Sequence, residues 1–172
     1  MKVLIRAMGR APGAHFDDLV RDGTIDALYT LNNGPTSMEA DIRDEITHYF
    51  DIHDTHEHDH TVPDTCLRLI GPERYSSNKS ASTDRPLVQK MRTYQAEFHP
   101  FPCHACTITY MLEYAILRGA TEIYLAGLDY HRIAKRKEME LPTVMFWLGV
   151  AHCSGIKIHA PPGSVFAEGW TY

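Results

Sequence analysis

Short runs of β-branched and aliphatic residues alternate with helix-patterned segments along the whole chain, and this alternation limits the fold more than any other feature. Lys2 to Ala7 reads as a strand that runs into the Gly/Pro loop Met8-Gly9-Arg10-Ala11-Pro12-Gly13. A helix follows from about Ala14 to Arg21 and stops at Gly23, and Ile25 to Leu31 is a second strand broken by Asn32-Asn33-Gly34-Pro35. Thr36 and Glu39 have capping-box spacing, which predicts a helix from about Ser37 to His48. Tyr49 to His53 and Cys66 to Ile70 read as the third and fourth strands. In the second half, Cys106 to Arg118 carries an apolar face of Ile108, Met111, Leu112, Ala115 and Ile116, with Gly119 at the position of a helix-ending glycine. Glu122 to Leu128 is a buried strand, Glu140 to Cys153 a helix with Pro142 in its first turn, and Ile156 to His159 a last strand before Pro161-Pro162. The Trp147, Phe146 and Met145 cluster reads as a core face of that helix. The pattern predicts an α/β fold: an open, mostly parallel, Rossmann-like sheet of about six strands flanked by helices.

Composition agrees with one globular unit. The chain has 172 residues, 44% apolar and 23% charged, within the size of a single domain over residues 1–172. No stretch approaches the roughly 18 consecutive apolar residues of a membrane span, and Lys2 and Arg6 interrupt the apolar run that a signal peptide needs. A cytoplasmic protein is expected. The net charge of -5 argues against a broad nucleic-acid surface. The one basic cluster, Arg132-Ile133-Ala134-Lys135-Arg136-Lys137, is either a solvated segment or faces a phosphate. Four cysteines, Cys66, Cys103, Cys106 and Cys153, are too few and too scattered for a disulfide framework, so reduced thiols are expected.

In an open parallel sheet, ligands collect beyond the carboxyl ends of the strands. The residues just after the strands are Gly9 and Arg10, Asn32 and Asn33, His53 and Asp54, and Asp129, Tyr130 and His131. Each residue type also suits an ordinary turn, but polar groups recur at successive strand ends. Thr107 joins them at a helix start, where free backbone N–H groups favour a phosphate or carboxylate. The loop Gly9-Arg10-Ala11-Pro12-Gly13 lacks both G-x-G-x-x-G and Gly-Lys-Ser/Thr, which disfavours a kinase or an ordinary nicotinamide dehydrogenase. Arg10 can still pair with a phosphate through its planar fork.

Two clusters could carry other chemistry. Between Asp51 and His60 there are four histidines and four carboxylates, donors that suit zinc, manganese or iron. The spacing matches no zinc finger, so a solvated His-rich loop competes with a metal site built on His53, Asp54 and His56. Cys103-His104-Ala105-Cys106 before a helix has C-x-x-C spacing, but it lies late in the chain rather than after an early strand as redox motifs do.

The segment from Thr107 to Tyr130 opens a helix at Thr107, passes Gly119 and closes on Ala126-Gly127-Leu128-Asp129-Tyr130. It resembles the helix–strand signature of the bacterial lipooligosaccharide sialyltransferases (glycosyltransferase family 42) and related flagellin-modification proteins. Lys2-Val3-Leu4-Ile5 and Asp26-Ala27-Leu28-Tyr29-Thr30-Leu31-Asn32 are similar to that family's first two strands, and Pro162-Gly163-Ser164 fits its end. The stretch from Thr143 through Ser164 also looks like small phage-encoded relatives of this fold.

The resemblance implies a cytidine nucleotide held by strand-end asparagines and a helix-start serine, tyrosines on the same phosphate, and a lid histidine as base without a metal. Carried over, Thr107 stands for the serine, Asn32 or Asn33 for the second-strand asparagine, Tyr130 for the tyrosine, and His53 or Asp54 for a third-strand asparagine. The chain departs from the pattern in having Gly9-Arg10 for the first-loop asparagine, and Cys106 and Ile108 flanking Thr107. Only about ten residues join Tyr130 to the next helix, so the lid is nearly absent and His131 is the nearest substitute base.

These observations together favour a nucleotide-sugar-dependent glycosyltransferase. In it Gly9, Arg10 and Thr107 hold phosphate, Asn32 and Asn33 the ribose or base, and Tyr130 the leaving phosphate, while His131 or Asp129 takes the acceptor proton. No cofactor is required on this reading. Two alternatives stand beside it: a divalent-metal hydrolase of a nucleotide or phosphoester using His53, Asp54, His56 and Asp129, and a non-catalytic nucleotide-binding module. A homo-oligomer is compatible with all three.

Overall fold

The computed structural model describes residues 1–7, 14–32, 34–51, 62–63, 65–70, 106–128 and 134–168. Its strands are β1 (Lys2–Arg6), β2 (Ala27–Leu31), β3 (Ile46–Asp51), β4 (Leu67–Ile70), β5 (Glu122–Ala126) and β6 (Lys157–His159). They form one sheet in the order β4-β3-β2-β1-β5-β6, with every neighbouring pair parallel. The expected sheet is therefore present and is parallel throughout.

The helices are α1 (Ala14–Arg21), α2 (Ala40–Asp44), α3 (Thr107–Leu117), α4 (Ala134–Cys153) and α5 (Val165–Glu168), and a 3-10 turn spans Gly34–Ser37. Phe16 of α1 and Ile42 of α2 pack with Leu4, Leu28, Ile46, Tyr49 and Tyr124 on one face of the sheet. Met111 and Leu112 of α3, Trp147 and Leu148 of α4, and Phe166 of α5 pack with Val3, Ile5, Tyr29, Phe50, Ile123 and Leu125 on the other. Strands covered on both faces need apolar side chains at every position, which explains why β2 is buried from end to end and why these strands read as unbroken apolar runs.

The predicted helix from Ser37 to His48 is corrected. The capping box does not form: Glu39 is the N-cap of α2 without a side-chain cap bond, and its carboxylate instead accepts from Arg21 Nη2 at 2.6 Å. Arg21 also binds Asp18 and Asp41, so one guanidinium ties α1 to the start of α2. The helix ends at Asp44 because the β-branched and aromatic residues Ile46, Tyr49 and Phe50 pair along β2 instead. Between Leu28 and Tyr29 the register skips Thr47, whose hydroxyl donates to the Leu28 carbonyl at 3.0 Å. This bulge puts Ile46 and Tyr49, three residues apart, on the same face.

A second correction concerns α4, which starts at Ala134 rather than near Glu140, so Pro142 lies inside it. Phe146 is also not core: it is 41% exposed, with its ring edge-on to that of the fully buried Trp147. The end of α3 follows expectation. Gly119 takes φ +75°, and the N–H groups of Gly119 and Ala120 return to the Ile116 and Ala115 carbonyls, each at 3.0 Å. Among the described residues no helix is long and apolar enough to cross a membrane.

Candidate nucleotide site

Sheet order fixes where a ligand can sit. The chain steps outward from β1 through β2 and β3 to β4, then returns to the other side of β1 as β5. The crevice of such a sheet lies where the order reverses, beyond the carboxyl ends of β1 and β5. Those ends meet at the pair Arg6 and Ala126, continued by a 2.8 Å hydrogen bond from the Ala7 N–H to the Ala126 carbonyl.

Beside the crevice, the end of β2 folds sharply over the tip of β1. Thr30 is fully buried and its hydroxyl donates to the Arg6 carbonyl at 3.1 Å. The turn then passes so close to that hydroxyl that a Cβ on Gly34 would collide with it. Asn32 lies between them with φ 44°, a left-handed conformation that asparagine tolerates better than most residues. Its backbone N–H reaches the Phe50 carbonyl at 3.2 Å, linking the ends of β2 and β3. Its side-chain Oδ1 is buried without a hydrogen-bond partner among the described residues. A buried polar atom left unpaired costs about 1–3 kcal/mol, so its retention calls for an explanation.

Thr107 reaches the same edge from another direction. Helix α3 has 11 residues, a length of about 16 Å, close to that of a five-residue strand, and its C-terminal end leads into the start of β5. Its first residue therefore lies at the carboxyl edge of the sheet. Cys106, the N-cap, makes no side-chain cap bond. Thr109 turns its hydroxyl back onto the Cys106 carbonyl at 2.6 Å and its own N–H reaches the same carbonyl at 3.2 Å, so the N-cap side chain takes none of the opening N–H groups of the helix. Thr107 is only 3% exposed, and among the described residues its hydroxyl has no hydrogen-bond partner. The positive end of the α3 dipole and an available hydroxyl thus coincide.

One charge pair borders the crevice on the α1 side. Arg6 Nε lies 3.3 Å from Asp17 Oδ1 in the first turn of α1. Burial pushes the Asp17 carboxyl above its ordinary pKa, against the opposing pull of Arg6 and, more weakly, Arg21. Burial likewise raises the Tyr110 phenol on α3, helped by the nearby Glu113 and Cys106.

Of the residues expected at the site, Asn32 and Thr107 are placed, and both are at the carboxyl edge. Gly9, Arg10, Asn33, His53, Asp54, His56, Asp129, Tyr130 and His131 lie outside the described residues, as does Cys103. Because α4 begins at Ala134, the connection after Tyr130 is shorter than the ten residues expected. Cys66, Cys106 and Cys153 are in no disulfide, and no group of three metal-ligating side chains occurs among the described residues. Sequence reading missed Arg6, Asp17, Thr30 and Gly34. An arginine closing an otherwise apolar strand, and a glycine four residues after a strand threonine, were the available signals.

No protein-family profile matches the chain, and no curated protein sequence does. Solved structures do. The sialyltransferase CstII from Campylobacter jejuni, in complex with the substrate analogue cytidine-5'-monophosphate (CMP), superposes with a TM-score of 0.59 over 97% of this chain and 82% of that one, at 16% identity. A mutant form of the same α-2,3/8-sialyltransferase gives 0.51 over 98% and 84%, also at 16% identity. The likeness is one of fold. The chain has a sialyltransferase-like, Rossmann-type α/β architecture, as the Thr107 to Tyr130 segment suggested.

Proposed function

We propose that this protein binds a nucleotide across the carboxyl edge of its sheet and acts as a nucleotide-sugar-dependent glycosyltransferase. The observation that carries the reading is the buried Oδ1 of Asn32, unpaired among the described residues, on the same sheet edge as the start of α3 at Thr107, whose N-cap side chain makes no cap bond. An edge that keeps a buried acceptor unpaired and a helix start open is costly for folding alone, and both groups suit a ribose, base or phosphate. The CMP in the similar CstII structure makes cytidine the first nucleotide to test.

In this reading the Asn32 carboxamide, with Asn33, orients the nucleoside. The Thr107 hydroxyl and the first N–H groups of α3 hold the phosphate, with Gly9 and Arg10 closing from the β1 side. An acceptor hydroxyl attacks the anomeric carbon of the sugar as the bond to the phosphate oxygen breaks. Charge then accumulates on the departing phosphate, where a helix N-terminus stabilises it most. Tyr130 donates to that phosphate, and His131 or Asp129 takes the acceptor proton.

A thermal-shift and calorimetric panel of cytidine, uridine, adenosine and guanosine mono- and diphosphates tests the binding step. CMP at about 100 times its dissociation constant should add roughly 2.7 kcal/mol of stability. Thr107→Val and Asn32→Ala should each weaken binding at least tenfold. Silence across the panel overturns the reading. Near-stoichiometric metal that disappears on His53→Ala and Asp54→Ala would replace it with the hydrolase.

A further inference from the structure

Away from the crevice, where β5 begins beside the edge strand β6, a carboxylate holds an imidazole that the nucleotide reading does not use. Glu122 Oε2 accepts from His159 Nε2 at 2.8 Å and from the Tyr124 hydroxyl at 3.1 Å, and Glu122 Oε1 lies 3.9 Å from Lys2 Nζ. His159, then Tyr124, hold the Glu122 carboxyl below its ordinary pKa, so it is ionised near neutrality. An ionised carboxylate only accepts, which fixes the tautomer of a neutral His159: its ring proton is on Nε2 and its lone pair on Nδ1. Tyr124 stacks on the ring at 4.2 Å and 11°, so the ring plane is set as well. No partner meets Nδ1 among the described residues, and the side chain is 37% exposed, so small molecules reach it. His48 is the contrast. Its Nδ1 meets the neutral Thr47 hydroxyl at 2.8 Å, and its ring packs against those of Tyr29 and Tyr114.

A carboxylate on one ring nitrogen prepares the other to act as a nucleophile. As the free nitrogen attacks, the ring gains positive charge, and the carboxylate offsets it. The surroundings select the electrophile. Lys157 is exposed and lies two residues before His159 on the same strand, hence on the same face. The register sets Lys157 beside Glu122 on one side and Lys2 beside it on the other. Cations on both sides favour an anionic reagent, and lysine serves phosphate oxygens as a point charge. We propose that His159 is a modification site whose Nδ1 accepts a phosphoryl group from a small acyl phosphate. The Nδ1 lone pair forms the new bond to phosphorus while the bond from phosphorus to the acyl oxygen breaks, and the carboxylate leaves with that electron pair. The Nε2 proton stays in its bond to Glu122, whose negative charge balances the charge the ring acquires. The site is separate from the crevice, since β5 reaches the crevice at Ala126 and His159 at Tyr124 and Glu122.

Acetyl phosphate at neutral pH tests it, with the product weighed as the intact chain, located by fragmentation, and each variant checked for folding by circular dichroism. The wild type should gain one phosphoryl group on His159, stable to alkali and lost in mild acid as a phosphorus–nitrogen bond is. It should appear there well before peptides that carry the other histidines, His48 among them, are labelled. His159→Gln should lose that label. Glu122→Gln keeps the size of the side chain and removes its charge, so labelling should slow about tenfold or more, and Lys157→Gln should slow it several-fold. Labelling of His159 no faster than of the other histidines is ordinary surface reactivity and overturns the proposal, as does a wild-type rate in Glu122→Gln. Should Glu122→Gln fail to fold, the comparison among histidines within the wild type decides alone. Neither result bears on the nucleotide reading, which the CMP titration decides.

Discussion

The Thr30 hydroxyl occupies the space into which a Cβ on Gly34 would project, while it donates to the Arg6 carbonyl at 3.1 Å. The turn after β2 is thereby pressed onto the tip of β1, and this closeness places Asn32 over the sheet edge. Gly34→Ala must displace a short, fully buried side chain and not a flexible one. Overpacking of this kind costs about 1–3 kcal/mol. Urea unfolding should show that loss, and Thr30→Ala in the Gly34→Ala background should recover part of it. If Gly34→Ala alone is neutral, the turn is looser than described.

Asn32 should show a trade of stability against binding. Its φ of 44° suits glycine, and its Oδ1 is buried without a partner among the described residues. Asn32→Gly removes both costs and adds back the entropy of an unfolded glycine, so stability should stay within about 1 kcal/mol of the wild type or rise slightly. CMP affinity should nevertheless fall more than tenfold. A variant that is clearly less stable would mean that the carboxamide serves the fold and not a ligand.

Much of this architecture is legible in the sequence because parallel strands buried on both faces leave plain apolar runs, as at Val3-Leu4-Ile5 and Ile123-Tyr124-Leu125. The closing turn of α3 was equally plain, since Gly119 has a conformation that few other residues adopt cheaply. Thr36 and Glu39 misled because capping-box spacing says nothing of what else can claim a carboxylate, and Arg21, 18 residues away, claims Glu39. The bulge at Thr47 was hidden for a related reason: it shifts the face of every later residue in β3, so the strand lacks the alternation that would mark it. At the candidate site, the position of Asn32 and Thr107 on the carboxyl edge was legible, since one follows a strand and the other starts a helix. Arg6, Asp17 and Gly34 were not, because their roles depend on which strand tips and helix starts meet in three dimensions.

At the opposite half of the sheet, a polar group holds the edge strand and should respond to acid. His159 Nε2 on β6 lies 2.8 Å from Glu122 Oε2 on β5, Tyr124 donates to the same oxygen at 3.1 Å, and the His159 and Tyr124 rings stack at 4.2 Å. The His159 contact, then the Tyr124 hydroxyl, hold the Glu122 carboxyl below its ordinary pKa. A carboxyl depressed in the folded state stabilises it above the unfolded value and loses that contribution as the pH falls through the folded one. Stability should therefore decline as the pH drops below about 4.3. Glu122→Gln should flatten that acid limb in urea titrations without changing the alkaline side near neutrality. An unchanged acid limb would show that the group contributes no proton linkage.

Tyr130 and His131 are neighbours, yet they should fail in different ways when replaced. Both follow β5, which ends at Ala126 beside Arg6 at the switch point. If the segment continues extended, adjacent side chains point to opposite sides, so one of the two faces the ligand directly. On the proposed nucleotide reading that residue is Tyr130, because a phenol hydroxyl can donate to a departing phosphate at neutral pH without ionising. Tyr130→Phe should weaken CMP binding or slow turnover several-fold and leave the melting temperature nearly unchanged. His131 matters only to an enzyme that needs a base titrating near neutrality. His131→Ala should abolish sugar transfer from a nucleotide-sugar donor while CMP affinity stays within a few-fold of the wild type. If it transfers normally, Asp129 is the remaining candidate, and Asp129→Asn should then remove activity. Full activity in His131→Ala and Asp129→Asn, with normal binding by Tyr130→Phe, would leave the sialyltransferase-like fold without the sialyltransferase-like chemistry.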